Sequence, residues 1–458
     1  MRLWFDVQAL QGPFFERGIQ RYVRAVAIEL ERRGAPIEAF GTNPSQREPY
    51  PQHGAVSTSA RLRPATAANL RAAAEHRDLV YLSGSAFEGF TPIQNLWPND
   101  TVVPGVPTAA IVYDTIPFRR PTEFQATRER RAFYASRGHL LTQADRFLAI
   151  SQSAARELTE DLGVDPAATD VIGCGVDERF VPADDLERVR GELVADLPGI
   201  RFPFLLYVGG FQPQKNVEGL LEAYALVDPA LRAEHQLVVG GNVSAELRRE
   251  WQERCERLGV AGQVVFTGLV TDETLLRLYQ CARLLVFPSL HEGFGLPVAE
   301  AAACGAPAVS SNTSSLPEVI GWEPSTFDPS DPSSIAASID RALGDEQFDR
   351  DLRAACRAAA GRHRWPLVVD RLLESMEALA AGAHARPAAP RRLAVLGDEI
   401  SPVLAAAARL AAQQPGATID AFAGAGAVRH TSRPVLPIRS YGRTAEPALY
   451  DEIVDLRT

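Results

Sequence analysis

The chain runs to 458 residues, 46% hydrophobic and 23% charged, an ordinary globular composition with length for about three domains. A formal net charge of −10 argues against general nucleic-acid binding, whose signature is a basic face, and no apolar run approaches the ~20 residues that span a bilayer. The five cysteines (Cys174, Cys255, Cys281, Cys304 and Cys356) form no CxxC or Cys/His pair, which fits buried thiols in a reducing, cytoplasmic compartment better than disulfides or zinc.

Residues 3–7 read as an apolar strand rather than the start of a signal peptide. The loop 8–18 carries Gly12, Phe14, Phe15, Arg17 and Gly18. Residues 19–32 have helical spacing, with Tyr22, Val23, Val26, Ala27 and Leu30 on one face. A glycine loop between strand and helix suits a ligand at the strand's carboxyl end, although nothing here reads Gly-x-Gly-x-x-Gly. Residues 41–75, rich in Pro, Gln and Ala, take no assignment. Residues 78–82 and 108–112 read as strands, the second running into Tyr113-Asp114-Thr115-Ile116-Pro117. Asp114 is about equally suited to holding a ligand hydroxyl and to capping a turn. Residues 127–141 read as a helix with Arg128, Arg130, Arg131 and Arg137 among Phe133, Tyr134 and Leu140. A solvated basic face explains that pattern more simply than a patch for a membrane surface or an anionic acceptor. A strand at 144–151 and a helix at 153–162 follow.

Residues 184–200 form a crossing region, and a second α/β run begins with a strand at 204–208. It leads into Gly209, Gly210, Gln214 and Lys215 before a helix from Val217. A strand, two glycines and a lysine before a helix make a good pyrophosphate cradle; a solvated lysine in a turn is the plainer alternative. Strands at 237–241 and 264–268 follow, then a buried strand at 283–287. Beyond it Pro297 suits the first turn of a short Ala-rich helix, and Gly305 suits its stop. The free N–H groups of such a helix start form an anion site, and Gly293 and Gly295 let a ligand approach the backbone. Glu292 in the loop and Glu300 one turn into the helix would flank the two ends of a nucleotide-sugar. Taken alone, the loop is better explained as a surface turn with both glutamates solvated. A strand at 308–311 and helices at 352–360 and 366–380 complete the run. Asp349-Arg350-Asp351 sits in a polar helical stretch and reads as solvated. Strands alternating with helices twice over predict two doubly wound α/β domains. Residues 379–390 are a linker by composition. After it, 393–397, 401–414 and 418–423 read as strand, helix and strand, the opening of another α/β unit.

Glu292-Gly293-Phe294-Gly295-Leu296-Pro297, then Ala299-Glu300-Ala301 and Cys304-Gly305-Ala306-Pro307-Ala308-Val309-Ser310-Ser311, closely resembles a known signature. It is that of retaining GT-B glycosyltransferases of the group-1 (family 4) type, which include bacterial mannosyltransferases. Their two glutamates are likewise separated by seven residues. Arg17-Gly18-Ile19-Gln20-Arg21-Tyr22 resembles the family's N-terminal glycine loop, with Gln20 where a second glycine is common. Tyr113-Asp114-Thr115-Ile116-Pro117 resembles its His-Asp-x-Ile-Pro segment, with Tyr113 in place of His. Gln214-Lys215 stands where the family has Arg-Lys. Residues 171–177 resemble the segment that closes its first domain, and 311–318 the loop beside the second glutamate.

The resemblance covers residues 1–380 and implies a GT-B fold, two Rossmann-like domains facing across a cleft, plus a short C-terminal α/β appendage. It implies an acceptor-side domain at 1–182, completed by a returning helix at 365–381, and a nucleotide-sugar domain at 183–364. A linker at 382–391 then leads to an incomplete segment at 392–458 that opens as a second transferase would. By resemblance Glu292, Lys215 and Asp114 are catalytic. Glu300, Gly209, Gly210, Gly293, Phe294, Gly295, Leu296, Gly18 and Tyr113 bind the donor. The implied reaction moves a hexose, mannose by preference, from a nucleoside-diphosphate sugar such as GDP-mannose to a glycan or lipid-linked acceptor in surface polysaccharide synthesis. Anomeric configuration is retained, with no cofactor and no metal requirement, in the cytoplasm or peripherally on the inner face of the membrane. A non-catalytic GT-B subunit that binds a nucleotide-sugar within a polymer-synthesising assembly is the alternative.

Overall fold

The computed structural model describes residues 1–11, 18–41, 63–64, 79–87 and 106–383. It also describes five strands of the last stretch, Arg392–Gly397, Thr418–Ala423, Ala427–His430, Arg433–Leu436 and Glu452–Asp455. The expected glycine loop at 12–17 with Arg17, nearly all of 41–75, the linker from 384 and the tail helix at 401–414 lie outside the described residues. The chain divides into two compact units. One comprises Met1–Leu148, Leu158–Asp170 and Leu372–Thr458; the other comprises Ala149–Glu157 and Val171–Arg371.

The first unit is built on a seven-stranded sheet. Its order is Arg63–Pro64, Ile37–Gly41, Arg2–Asp6, Leu79–Ser83, Thr108–Val112, Arg146–Ala149 and Thr169–Val171. Arg2–Asp6 pairs in parallel with Ile37–Gly41 on one side and Leu79–Ser83 on the other. The strand order therefore reverses beside Arg2–Asp6, and the loop after that strand leads to the helix Gly18–Arg32. That helix buries Tyr22, Val23, Val26, Ala27 and Leu30, the face expected from its spacing.

The second unit holds six strands, all parallel, in the order Val264–Gly268, Gln236–Gly240, Phe204–Val208, Leu284–Phe287, Ala308–Ser311 and Thr326–Phe327. Leu284–Phe287 is buried along its whole length, as a strand covered on both faces must be. Here the order reverses between Phe204–Val208 and Leu284–Phe287. Ligands of open parallel sheets bind at such a reversal, outside the carboxyl ends of the strands.

The last stretch adds three strands to the two expected there. Its five-stranded sheet has the order Arg433–Leu436, Ala427–His430, Thr418–Ala423, Arg392–Gly397 and Glu452–Asp455. Arg392–Gly397 pairs in parallel with both neighbours, whereas the two edge pairings toward Arg433–Leu436 are antiparallel.

Two readings of the surface need correction. In the helix Arg128–Leu141, Arg128, Arg130 and Arg131 are exposed, but Arg137 is 2% exposed and is no part of a solvated face. Its Nη1 donates to Ala86 O at 3.3 Å, and its guanidinium lies 5.2 Å from the Phe133 ring centre. The helix is drawn inward at this point: a Cβ on Gly138 would stand 2.7 Å from Phe118. Asp349 is likewise not merely solvated, since it pairs with Arg283 at 2.8 Å and Arg353 at 3.0 Å. The five cysteines are free and buried.

Candidate functional site

The loops at the reversal of the second sheet carry most of the residues singled out from sequence. After Phe204–Val208 the chain passes Gly209 and Gly210, makes the 3-10 turn Pro213–Lys215 and enters the helix Val217–Leu226. Tyr207 Oη donates to Gly210 O at 2.6 Å, and Gly209 N donates to Gly240 O at 3.0 Å. Asn216, at φ +55°, sends Nδ2 to Pro288 O at 3.1 Å and to Pro329 O at 2.8 Å. Leu290 N donates to Gln214 O at 2.7 Å, so the two loops are stitched together through backbone groups.

The second loop runs from Leu284–Phe287 to the helix Leu296–Ala303, which has Pro297 in its first turn as expected. Gly295 precedes it at φ +112°, and a Cβ there would lie 2.6 Å from Leu316. Glycine is thus required twice over, by backbone angle and by space. Serines hold the loop's shape. Glu292 N donates to Ser314 Oγ at 2.9 Å, and Ser315 Oγ lies within 2.9 Å of Glu292 O and 2.8 Å of Phe294 O. Ser151 Oγ donates to Gly293 O at 2.7 Å. Phe294 packs edge-on to His363 at 5.3 Å between ring centres, and Leu296 is half-buried.

Two acids belong to this arrangement, each with its own partner. Lys215 Nζ lies 2.6 Å from Glu292 Oε1, with side chains 22% and 12% exposed. Sequence reading gave Lys215 to the donor phosphates and Glu292 to the sugar; in the structure the two side chains pair directly. Tyr207 lies under the same charge, since burial first and the Glu292 carboxylate second push its phenol well up. Glu300 is buried and accepts a hydrogen bond from Tyr279 Oη at 2.8 Å. Burial, then the charge on Glu300, pushes the Cys174 and Cys304 thiols up. A buried carboxylate is an acceptor only, and so is suited to hydrogen bonds from hydroxyl groups such as that of Tyr279.

The first unit places its candidates differently. Tyr113 Oη donates to Gly84 O at 2.8 Å, and its ring meets Tyr22 edge-on at 5.3 Å. Asp114 Oδ1 accepts from Ile116 N at 3.0 Å, the turn-capping arrangement, at the start of the short helix Ile116–Arg119. Gly18 opens its helix and is exposed. Sequence reasoning missed Tyr207, Tyr279, Ser151, Ser314 and Ser315 as shaping residues. Only the last two carried a signal, by lying in the loop 311–318 already singled out. Among the described residues, no helix is long and apolar enough to cross a membrane.

Two family models match the chain: Glycosyl transferases group 1 over residues 200–362 and Glycosyltransferase Family 4 over residues 17–180. Together they take in more than half of it. The serotype-specific mannosyltransferase WbdA of Escherichia coli is 35% identical over 314 residues, which is 67% of this chain and 38% of that protein. The chain therefore spans well under half of that relative's length. Among solved structures, sucrose-phosphate synthase from Thermosynechococcus elongatus gives a TM-score of 0.61 at 21% identity, over 83% of this chain and 100% of the other. Anabaena HepE, solved in complex with UDP and glucose, gives 0.59 at 18% identity, over 82% and 100%. At these identities the structural likeness establishes the fold.

Proposed function

Because this chain belongs to the group-1, family-4 type glycosyltransferases and has their GT-B fold, we propose that it is a retaining hexosyltransferase. The donor we propose is GDP-mannose, and the acceptor a glycan or lipid-linked glycan of a surface polysaccharide. The likeness to a mannosyltransferase supports the sugar. The observation that carries the reading is the half-buried Lys215–Glu292 pair at the sheet reversal, with buried Glu300 one turn into the adjoining helix. A nucleotide-sugar gives each charge a new partner. Lys215 turns to the diphosphate, Glu292 to sugar hydroxyls and Glu300 to ribose hydroxyls. The backbone of Gly209, Gly210, Gly293, Phe294, Gly295 and Leu296 lies along the phosphates.

In transfer, the bond from the anomeric carbon to the diphosphate oxygen breaks, and a bond to the acceptor oxygen forms on the same face. The leaving phosphate takes the acceptor's proton, so no separate protein base is required. Lys215 and the helix start at Leu296 stabilise the departing charge, and we propose that no metal is needed for this. Asp114 is proposed to be catalytic, and Tyr113 and Gly18 to bind the donor. The exposed Arg128, Arg130 and Arg131 offer an approach for an anionic acceptor or a peripheral contact with the inner face of the membrane.

Residues 1–182 with the helix at 365–381 are proposed to form the acceptor side, and residues 183–364 the donor side. Residues 392–458, after the linker, are proposed to open a second transferase.

A panel of nucleotide-sugars tests the reading by thermal shift and by release of nucleoside diphosphate, with and without a chelator. The expected outcome is one donor that both stabilises the chain and is turned over, unaffected by chelation. Strict dependence on a divalent metal would sink the charge argument. Binding without release would favour the non-catalytic alternative, which Gln214 and Tyr113, in place of the family's Arg and His, make worth separating.

A further inference from the structure

The residue just before Glu292 is tied down by a bond to a residue outside the set proposed to bind the donor. His291 Nε2 lies 2.9 Å from Glu157 Oε1, across 134 residues of sequence. Glu157 is 4% exposed, and Ser153 Oγ donates to the same oxygen at 3.0 Å. A carboxylate taken out of water at this depth requires hydrogen-bond donors, and the imidazole N–H supplies one. The same short segment bonds the loop at one more point and the neighbouring helix Leu316–Ile320 at another. Ser151 Oγ donates to Gly293 O at 2.7 Å, on the other side of Glu292. Gln152 N and Ser153 N donate to the two oxygens of Glu318 at 2.8 and 2.7 Å. Glu318 in turn follows Ser314 and Ser315, the two serines that fix the backbone of Glu292. All of these residues belong to the second compact unit, which takes Ala149–Glu157 out of the 1–182 stretch implied by resemblance.

We propose that His291 is a positioning residue for the donor sugar, acting through Glu292, and that residues 151–157 are the brace it bears on. The inference rests on the reading that Glu292 holds the sugar. Gly293 and Gly295 contribute no side chains, which leaves Phe294, packed on His363, as the loop's apolar anchor, and bonds from outside add to it in fixing the backbone at Glu292. With His291 tied to Glu157 and Gly293 to Ser151, the backbone on both sides of Glu292 is fixed before a ligand arrives. The carboxylate then meets the sugar in one geometry, and binding energy is not spent on ordering it. His291 touches no reacting atom in this scheme. Its effect falls on the sugar end of the donor, because in this scheme Lys215 leaves Glu292 for the diphosphate and Glu300 is held by Tyr279.

Calorimetric titration with GDP, UDP, GDP-mannose and UDP-glucose separates this role from a merely structural one. The wild-type chain is expected to bind one sugar nucleotide more tightly than its bare nucleotide. His291→Phe should reduce that gain by about tenfold or more while leaving the affinity for the bare nucleotide unchanged. His291→Gln, which keeps an N–H at similar reach, should restore most of it. A His291→Phe variant that keeps the full gain overturns the inference. Equal loss for sugar nucleotide and bare nucleotide also overturns it, by showing general damage to the fold. Should His291→Phe fail to fold, Glu157→Gln weakens the same bond with little change of shape and is read in the same way. A wild-type chain with no gain from the sugar overturns the donor reading itself, before any variant is compared.

Discussion

The two compact units solve the same topological problem with charges placed in opposite ways. Each has a parallel sheet whose strand order reverses beside a strand that leads through a loop into a helix. In the first unit, the acid at the end of that strand is sealed in. Asp6 is fully buried and accepts from Tyr81 Oη at 3.3 Å. Burial, then the Asp6 charge, pushes the Tyr81 phenol far up, so the proton stays on it. In the second unit, the charges at the reversal stay in reach of solvent, with Lys215 at 22% and Glu292 at 12% exposure. A sealed pair has no route to exchange its partner and serves the fold. A pair at the surface can trade its partner for a ligand without leaving either charge alone. Similar architecture thus yields a structural site in one unit and an exchangeable one in the other.

The largest expected effect breaks the exchangeable pair. Lys215→Ala removes the group proposed to stabilise the leaving diphosphate, and turnover should fall on the order of 10²-fold or more. Glu292→Gln should also fall steeply, while Glu300→Gln should act mainly on donor affinity. Near-normal release of nucleoside diphosphate from Lys215→Ala would refute the assignment. The sealed pair should respond the other way. Tyr81→Phe leaves the buried Asp6 short of a hydrogen bond and should cost about 1–3 kcal/mol of stability, seen as a lower melting temperature. Its turnover per folded molecule should be unchanged. Loss of activity in Tyr81→Phe without loss of stability would erase the contrast between the units.

How much of this was legible depends on the range over which each feature is determined. The strands Phe204–Val208 and Thr108–Val112 match the sequence reading residue for residue, because a buried parallel strand is a local apolar run. The start of the helix Leu296–Ala303 was legible for a similar reason, since Gly295 and Pro297 have local backbone requirements. The pairings were not. Lys215 reaches Glu292 across 77 residues, Tyr279 reaches Glu300 across 21 and His291 reaches Glu157 across 134. Nothing in composition or spacing marks one lysine or one tyrosine as the partner of a given acid. Arg137 shows the converse failure. Its neighbours Arg128, Arg130 and Arg131 made a basic face the simplest pattern, yet the close approach at Gly138 carries Arg137 into the interior.

The smallest expected effect lies in the pH dependence of the second unit. His363 packs against Phe294 of the donor loop, and its Nε2 stands 2.7 Å from Val319 O. Burial, more than offsetting the carbonyl contact, holds its pKa below the ordinary value of 6.5. The unfolded chain therefore takes up a proton at this position before the folded chain does. Stability from the neutral imidazole is fully present above about pH 6.5 and is lost as pH falls toward the lowered folded value. A single group changes stability by at most about 1.4 kcal/mol per pH unit, so the effect is a tilt and not a transition. Melting temperatures should decline gently as pH falls from about 7 to 5, before most carboxylates begin to protonate. His363→Gln can still donate to Val319 O but cannot take up a proton, and it should flatten that decline while leaving the melting temperature at pH 8 nearly unchanged. If the variant's decline is as steep as the wild type's, the acid sensitivity belongs to other groups, and the neutral ring beside Phe294 is not what links low pH to the donor loop.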